Sequence, residues 1–163
     1  MKKTVEEQMK VLLTKHSEPP LEVIIPILEK AGRGEQELTA HIYDIDSSLT
    51  KGIKEIFGLK DKNMKTLAKV VEIVFGAGGL KIEPIELSES RFSLSISDCP
   101  MLHVGKNVSL NVKSKFCDLC CTSGSRALMD TVLGQDRGTC FWDKSLIKGK
   151  GKCRLVFELV KTR

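Results

Sequence analysis

Residues 80–97 read LKIEPIELSESRFSLSIS, in which two alternating runs, 80–87 and 91–97, flank Ser88-Glu89-Ser90. Alternation of apolar and polar residues puts one kind of side chain on each face of an extended chain, so the stretch predicts a β-hairpin with one buried face. Pro84 has no N–H for the ladder, which assigns its strand to a sheet edge or a bulge. The hairpin decides the fold because everything before it follows a different period.

Upstream, Gly76, Gly78 and Gly79 close a segment of about 62–76 in which Met64, Leu67, Val70, Val71, Val74 and Phe75 recur at helical spacing. The same step runs through Leu38, Ile42, Ile45, Leu49, Ile53 and Ile56 between Glu35 and Phe57. Asp44 to Thr50 and Gly52 weaken helix propensity there and leave open whether the segment is one helix or two. A helix over about 19–31 starts on Pro19-Pro20, carries Leu21, Ile24, Ile25 and Leu28, ends at Gly32, and has Pro26 as a candidate kink. A shorter one over 4–15 presents Val5, Met9, Leu12 and Leu13. Downstream, a helix is expected across about 111–133, ending at Gly134, followed by strands at about 137–146 and 152–160. The order α-α-α-α-β-β-α-β-β predicts an α+β fold, a helical N-terminal layer packed on one face of an antiparallel sheet. Residues 1–163 are expected to form a single domain, with 1–77 as helical lead-in and 78–163 as the sheet-containing part.

With 41% hydrophobic and 29% charged residues, the composition is that of an ordinary globular chain. The net charge of +5 is mild and its lysines are mixed with acids, so no nucleic-acid partner is expected. Lys144, Lys148, Lys150, Lys152 and Arg154 gather around the last hairpin, where, with little aromatic interleaving, a solvated turn is the expected reading. Glu6, Glu7, Gln8 and Lys10 interrupt the apolar run a secretory signal requires, and no stretch approaches a membrane span. A cytoplasmic location is therefore expected, and in a reducing compartment the six cysteines are thiols or metal ligands rather than disulfides.

All six, Cys99, Cys117, Cys120, Cys121, Cys140 and Cys153, follow the first hairpin strand pair, and the first 98 residues hold none. On a helix, positions 117, 120 and 121 share a face because residues three and four apart are neighbours. Cys99 ends a strand, with His103 four residues on, and Cys153 opens the last strand, within reach if that strand neighbours the one ending at Cys99. Sulfur and nitrogen donors in fours suit zinc. The candidate metal ligands are Cys99, His103, Cys117, Cys120, Cys121 and Cys153. Two other readings stand beside this one: a reactive thiol, with Cys99 beside His103 as nucleophile, and buried cysteines acting as small hydrophobes, to which Cys140 and Cys121 are the best suited. His16 and His41 have no ligand-type neighbours in sequence and read as surface or helix-face residues.

Residues 62–160 resemble the 4-vinyl reductase domain family, a small-molecule or hydrocarbon-binding domain related in fold to TRAPP vesicle-transport subunits and haem-type nitric oxide sensors. The resemblance is carried by Cys99-Pro100, by Cys117-Asp-Leu-Cys-Cys-Thr-Ser-Gly124 leading into a helix that ends Val132-Leu133-Gly134, and by Lys148-Gly-Lys-Gly-Lys-Cys153-Arg-Leu-Val-Phe157. Ser145 stands where family members commonly carry a further cysteine. The resemblance implies a pocket for an apolar or small ligand between the helical layer and the sheet, with the cysteine site beside it. It does not imply reductase chemistry, because fold does not fix function. The chain has no GxGxxG or Walker loop; Gly76-Ala-Gly-Gly79 precedes a strand, whereas a phosphate loop opens a helix. Thr122-Ser-Gly-Ser125 is no nucleophile elbow. The expectation is a non-catalytic ligand-binding or sensor domain with a zinc site. The alternatives are an enzyme, either a reductase component or a cysteine-dependent hydrolase, and a homodimeric assembly module using the N-terminal helices.

Overall fold

The glycines that separate the two periods also separate helix from sheet in the backbone. The structure, a computed structural model, describes residues 3–30, 32–143 and 145–161; Lys144 of the basic run lies outside them. Four helices come first: α1 (Val5–Lys15), α2 (Leu21–Glu29), α3 (Arg33–Phe57) and α4 (Met64–Ala77). The Asn63 side chain accepts the Thr66 N–H at 2.9 Å to start α4, and Gly79, at φ 79°, turns the chain out of it into β1 (Lys81–Leu87). Then come β2 (Arg91–Asp98), a short 3₁₀ turn (Pro100–Leu102), α5 (Leu110–Phe116), a π turn (Cys117–Cys121), α6 (Thr122–Leu133), β3 (Gly138–Asp143) and β4 (Cys153–Leu159).

The strands form one antiparallel sheet in the order β1-β2-β4-β3, so the second hairpin adds to the first through β4. Pro84 meets both readings of its position, since β1 is an edge strand whose register shifts between Pro84 and Glu86. The sheet's inner face carries Phe92, Leu94 and Ile96 from β2 opposite Phe157, Leu155 and Cys153 from β4, all buried. The Phe92 and Phe157 rings stack at 5.9 Å. Helices α4 and α6 cover this face with Leu67, Val70, Val71, Leu128, Met129 and Val132. Trp142 of β3 stacks on Phe75 and donates its Nε1–H to Ser125 Oγ at 3.0 Å, satisfying its polar edge. The other face is mixed: Phe141 stands exposed opposite Val156, while Arg91 reaches Glu158 at 3.2 Å and Glu86 at 3.4 Å. Lys152, from the basic run, pairs with Glu83 at 3.1 Å.

The segment from Glu35 to Phe57 is one helix of 25 residues including Arg33 and Gly34. Its polar stretch does not divide it because Asp46 and Thr50 are buried along with Ile42, Leu49 and Ile53, so packing overrides propensity. It stops at Gly58, at φ 64°, where Gly58 donates to the Glu55 carbonyl and Leu59 to that of Lys54. Helix α1 is held more lightly. A Thr4/Glu7 capping box starts it, but none of its residues is fully buried. No helix among the described residues is long and apolar enough to cross a membrane.

Candidate functional site: a cluster of four thiols

Three segments bring cysteines together where the sheet meets the α5–α6 helix. Cys153 opens β4 and pairs with Ile96 of β2, three residues before Cys99, so the two strands are the neighbours that convergence requires. Cys117, at the start of the π turn, packs with Met101 and Ile147 in a small buried cluster that Cys99 also touches. The Cys121 thiol hydrogen-bonds to that of Cys117. Cys117 lies near enough to bear electrostatically on both Cys99 and Cys153. None of the six cysteines is in a disulfide.

The π turn sorts the cysteines that sequence spacing put on one face. Its i→i+5 pattern is wider than an α turn, and the Thr122 hydroxyl donates to the Cys117 carbonyl at 3.1 Å within it. Widening keeps positions four apart roughly in line and swings the position three apart away. Cys117 and Cys121 accordingly stay together, while Cys120 packs among Ile24, Leu28, Leu38, Ile42 and Val112, between α2 and α3. His103 is not brought into the cluster either: its ring is exposed and its Nε2 lies 2.7 Å from Asp98 Oδ1. Cys140, on β3 opposite Phe157, packs against the main core beside Arg126 and Asp130.

Two backbone features bear on the sulfurs. The N–H groups of Leu102 and Met101 point at the Cys99 thiol, and those of Leu146 and Ile147 at the Cys153 thiol. Burial pushes both thiols above their ordinary pKa; these amides pull partly back, because they favour a thiolate, and neighbouring thiols push up again. The Cys121 thiol is raised first by its hydrogen bond to Cys117 and then by burial. Burial takes Cys120 to about 12, with Glu18 and Cys117 adding to it. At neutral pH these are protonated, weakly nucleophilic thiols, which argues against Cys99 as an activated nucleophile. Among the described residues, no three Cys, His, Asp or Glu side chains are arranged to hold a metal as they stand. The chemistry of the donor set nonetheless fits a soft cation. Cys117 is hydrogen-bonded to Cys121 and bears electrostatically on Cys99 and Cys153, and the last two already receive paired backbone N–H groups of the kind that support metal-bound sulfur.

A groove of about 630 Å³ runs between α2 and the loop after β2, lined by Leu21, Ile25, Pro100, Val104 and Val108 with Glu22 and His103 among its polar members. Leu21 and Val104 also pack on the cluster that holds Cys117 and borders Cys99, so the thiols lie behind the apolar wall.

The sequence reading missed a second polar site. Asp46, on α3, is 5% exposed and hydrogen-bonds to the carboxyl of Glu18 in the α1–α2 linker. Burial and the Glu18 charge raise its pKa to about 8. A signal for it existed: Asp46 and Thr50 stand on the apolar stripe of α3, four and eight positions after Ile42. Gly124 of α6 completes the site, since only a residue without Cβ leaves room for Asp46 Oδ2 there, a pairing that the sequence does not mark.

The helical layer and the four-stranded antiparallel sheet in the order β1-β2-β4-β3 define an α+β protein. Among solved structures, the chain is similar to a trafficking protein particle complex subunit 3 from Naegleria fowleri covalently bound to palmitic acid. The TM-score is 0.63 over 97% of this chain and 98% of that one, at 15% identity, which shows a shared fold. No family model matches the sequence, and no curated protein does.

Proposed function

We propose that this chain is a non-catalytic binding domain in which Cys99, Cys117, Cys121 and Cys153 hold a zinc ion behind a groove for an apolar chain-like ligand. The observation that carries it is the gathering of four thiols from three separate segments, two of them facing paired backbone N–H groups. Zinc there would act structurally, tying the end of β2, the α5–α6 turn and the start of β4 together. Binding would release thiol protons, which burial otherwise retains. The finer family reading, a 4-vinyl reductase domain, belongs to the same proposal. Ser145 precedes the Leu146 and Ile147 amides that face Cys153, so the loop where that family commonly supplies a cysteine here supplies N–H donors to one. The fatty acid of the Naegleria subunit supports a long apolar chain as ligand class, and the apolar lining of the α2 groove suits one.

Metal analysis of protein purified without added metal tests the core of this reading. About one zinc per chain is expected, lost in Cys99→Ser and Cys153→Ser, with four thiols slow towards a thiol reagent until a chelator is added. Metal-free protein whose thiols all react at the rate of small-molecule thiols would end it.

A further inference from the structure

The most unusual polar feature outside the thiol cluster is a carboxyl pair made by the buried Asp46 and by Glu18 on the exposed linker. Two acids joined by a hydrogen bond need a proton between them, since a carboxylate has none to donate. Asp46 is held under α6, whose backbone approaches so closely at Gly124 that a Cβ would meet Asp46 Oδ2. The influences on Asp46 are burial and Glu18; those on Glu18 are burial and Asp46. From the π turn, the nearby titratable group is the Cys120 thiol, neutral up to about 12. Helix α2 meets α3 through Ile24, Leu28, Leu38 and Ile42, all apolar, and α1 meets it with Leu12 against Gly52.

Glu18 also sits at a mechanically telling place. It lies in the exposed linker, directly before Pro19-Pro20, and Pro20 caps α2, with its carbonyl accepting the Val23 and Ile24 N–H groups. Two prolines have little freedom, so whatever fixes Glu18 fixes the start of α2. Leu21, Glu22 and Ile25 of that first turn are one wall of the groove.

We propose that Glu18 and Asp46 share one proton and act as a pH-operated latch, holding the linker and the N-terminal end of α2 on α3 when protonated and releasing them when it is lost. Two carboxylates side by side, one of them the buried Asp46, repel, and Glu18, on the exposed linker, is the one that can turn to water. The latch concerns the apo chain; that its opening would widen the ligand groove rests on the functional reading above.

Hydrogen exchange of the metal-free, ligand-free chain separates the two ideas. After correction for intrinsic rates, residues 17–29 should exchange about tenfold or more faster at about pH 9 than at about pH 6.5, while α4 and β4 hold their protection. Asp46→Asn supplies an amide donor to a Glu18 carboxylate without a shared proton, and should hold the ratio within about twofold. Should that variant fail to fold, Glu18→Gln asks the same question from the exposed side. A wild-type ratio near one, or the same ratio in wild type and variant, overturns the latch. Either result leaves the metal proposal untouched, as metal content is measured separately.

Discussion

Gly124 shows how a single missing side chain can decide whether a buried acid is tolerated. The first turn of α6 gains helix stability from alanine, about 1 kcal/mol by propensity alone. Against that, a Cβ at this position collides with Asp46 Oδ2, and Asp46 is itself confined at 5% exposure. Overpacking of this kind costs about 1–3 kcal/mol, so Gly124→Ala should destabilise by up to about 2 kcal/mol net. The cause is separable from helix effects by a double-mutant cycle in urea: with Asp46→Ala in the background, Gly124→Ala should become neutral or stabilising, a coupling of about 1 kcal/mol or more. Additive effects would mean that the close approach is not what fixes glycine there. In the sequence, position 124 reads as part of a turn or packing feature; its partner across the helix pair is invisible there, because no local pattern records which residue faces it.

At the scale of elements, the order and nature of nearly all helices and strands were legible, and the reason is periodicity. The change from a 3.6-residue to a two-residue repeat at Gly76–Gly79 needs no knowledge of neighbours. What periodicity cannot carry is pairing between elements. That β4 rather than β3 adds to β2 follows from how the hairpins dock on α4 and α6, and it is this pairing that lets Cys153 approach Cys99. The π turn was illegible for a related reason: an extra residue in one helical turn leaves the apolar spacing of α5 and α6 intact, yet moves Cys120 to the α2–α3 side. Helix α1 offers a test of how independently an element is held. Gly52 of α3 leaves space that Leu12 of α1 fills, so Gly52→Ala pushes Leu12 out while improving α3 by up to about 1 kcal/mol. As no α1 residue is fully buried, global unfolding in urea should be unchanged or slightly later, while the amides of residues 5–15 lose exchange protection. A loss of global stability of about 2 kcal/mol or more would instead make α1 part of the cooperative core.

For the whole molecule, the buried Asp46, its partner Glu18 and the thiols set an uncommon direction of pH dependence. Most proteins lose stability in acid as paired carboxylates are protonated. Here the ion pairs that resist acid are largely at the surface, such as Lys69–Glu72 and Lys152–Glu83, and each contributes little. Asp46 works the other way. Its folded-state pKa, about 8, lies above the ordinary value of 3.8, so the folded chain binds that proton more tightly than the unfolded one. The stability this gives is complete below the ordinary carboxylate range and is lost progressively as pH rises to about 8, with Glu18 shifted in the same direction. The thiols extend the trend: Cys99, Cys120, Cys140 and Cys153 are all raised above 9.0, so above that pH the unfolded chain ionises thiols that the folded chain keeps neutral. Urea unfolding of the metal-free protein should therefore give a maximum near about pH 5 and roughly 2–3 kcal/mol less by about pH 8.5, a fraction of the 1.36 kcal/mol per unit that an uncoupled group would give. Asp46→Asn should flatten the curve between those two values and leave the further decline above about pH 9, which belongs to the thiols. A wild-type curve that rises from pH 5 to 8.5 would mean that the surface ion pairs, and not Asp46 and Glu18, govern how this fold responds to protons.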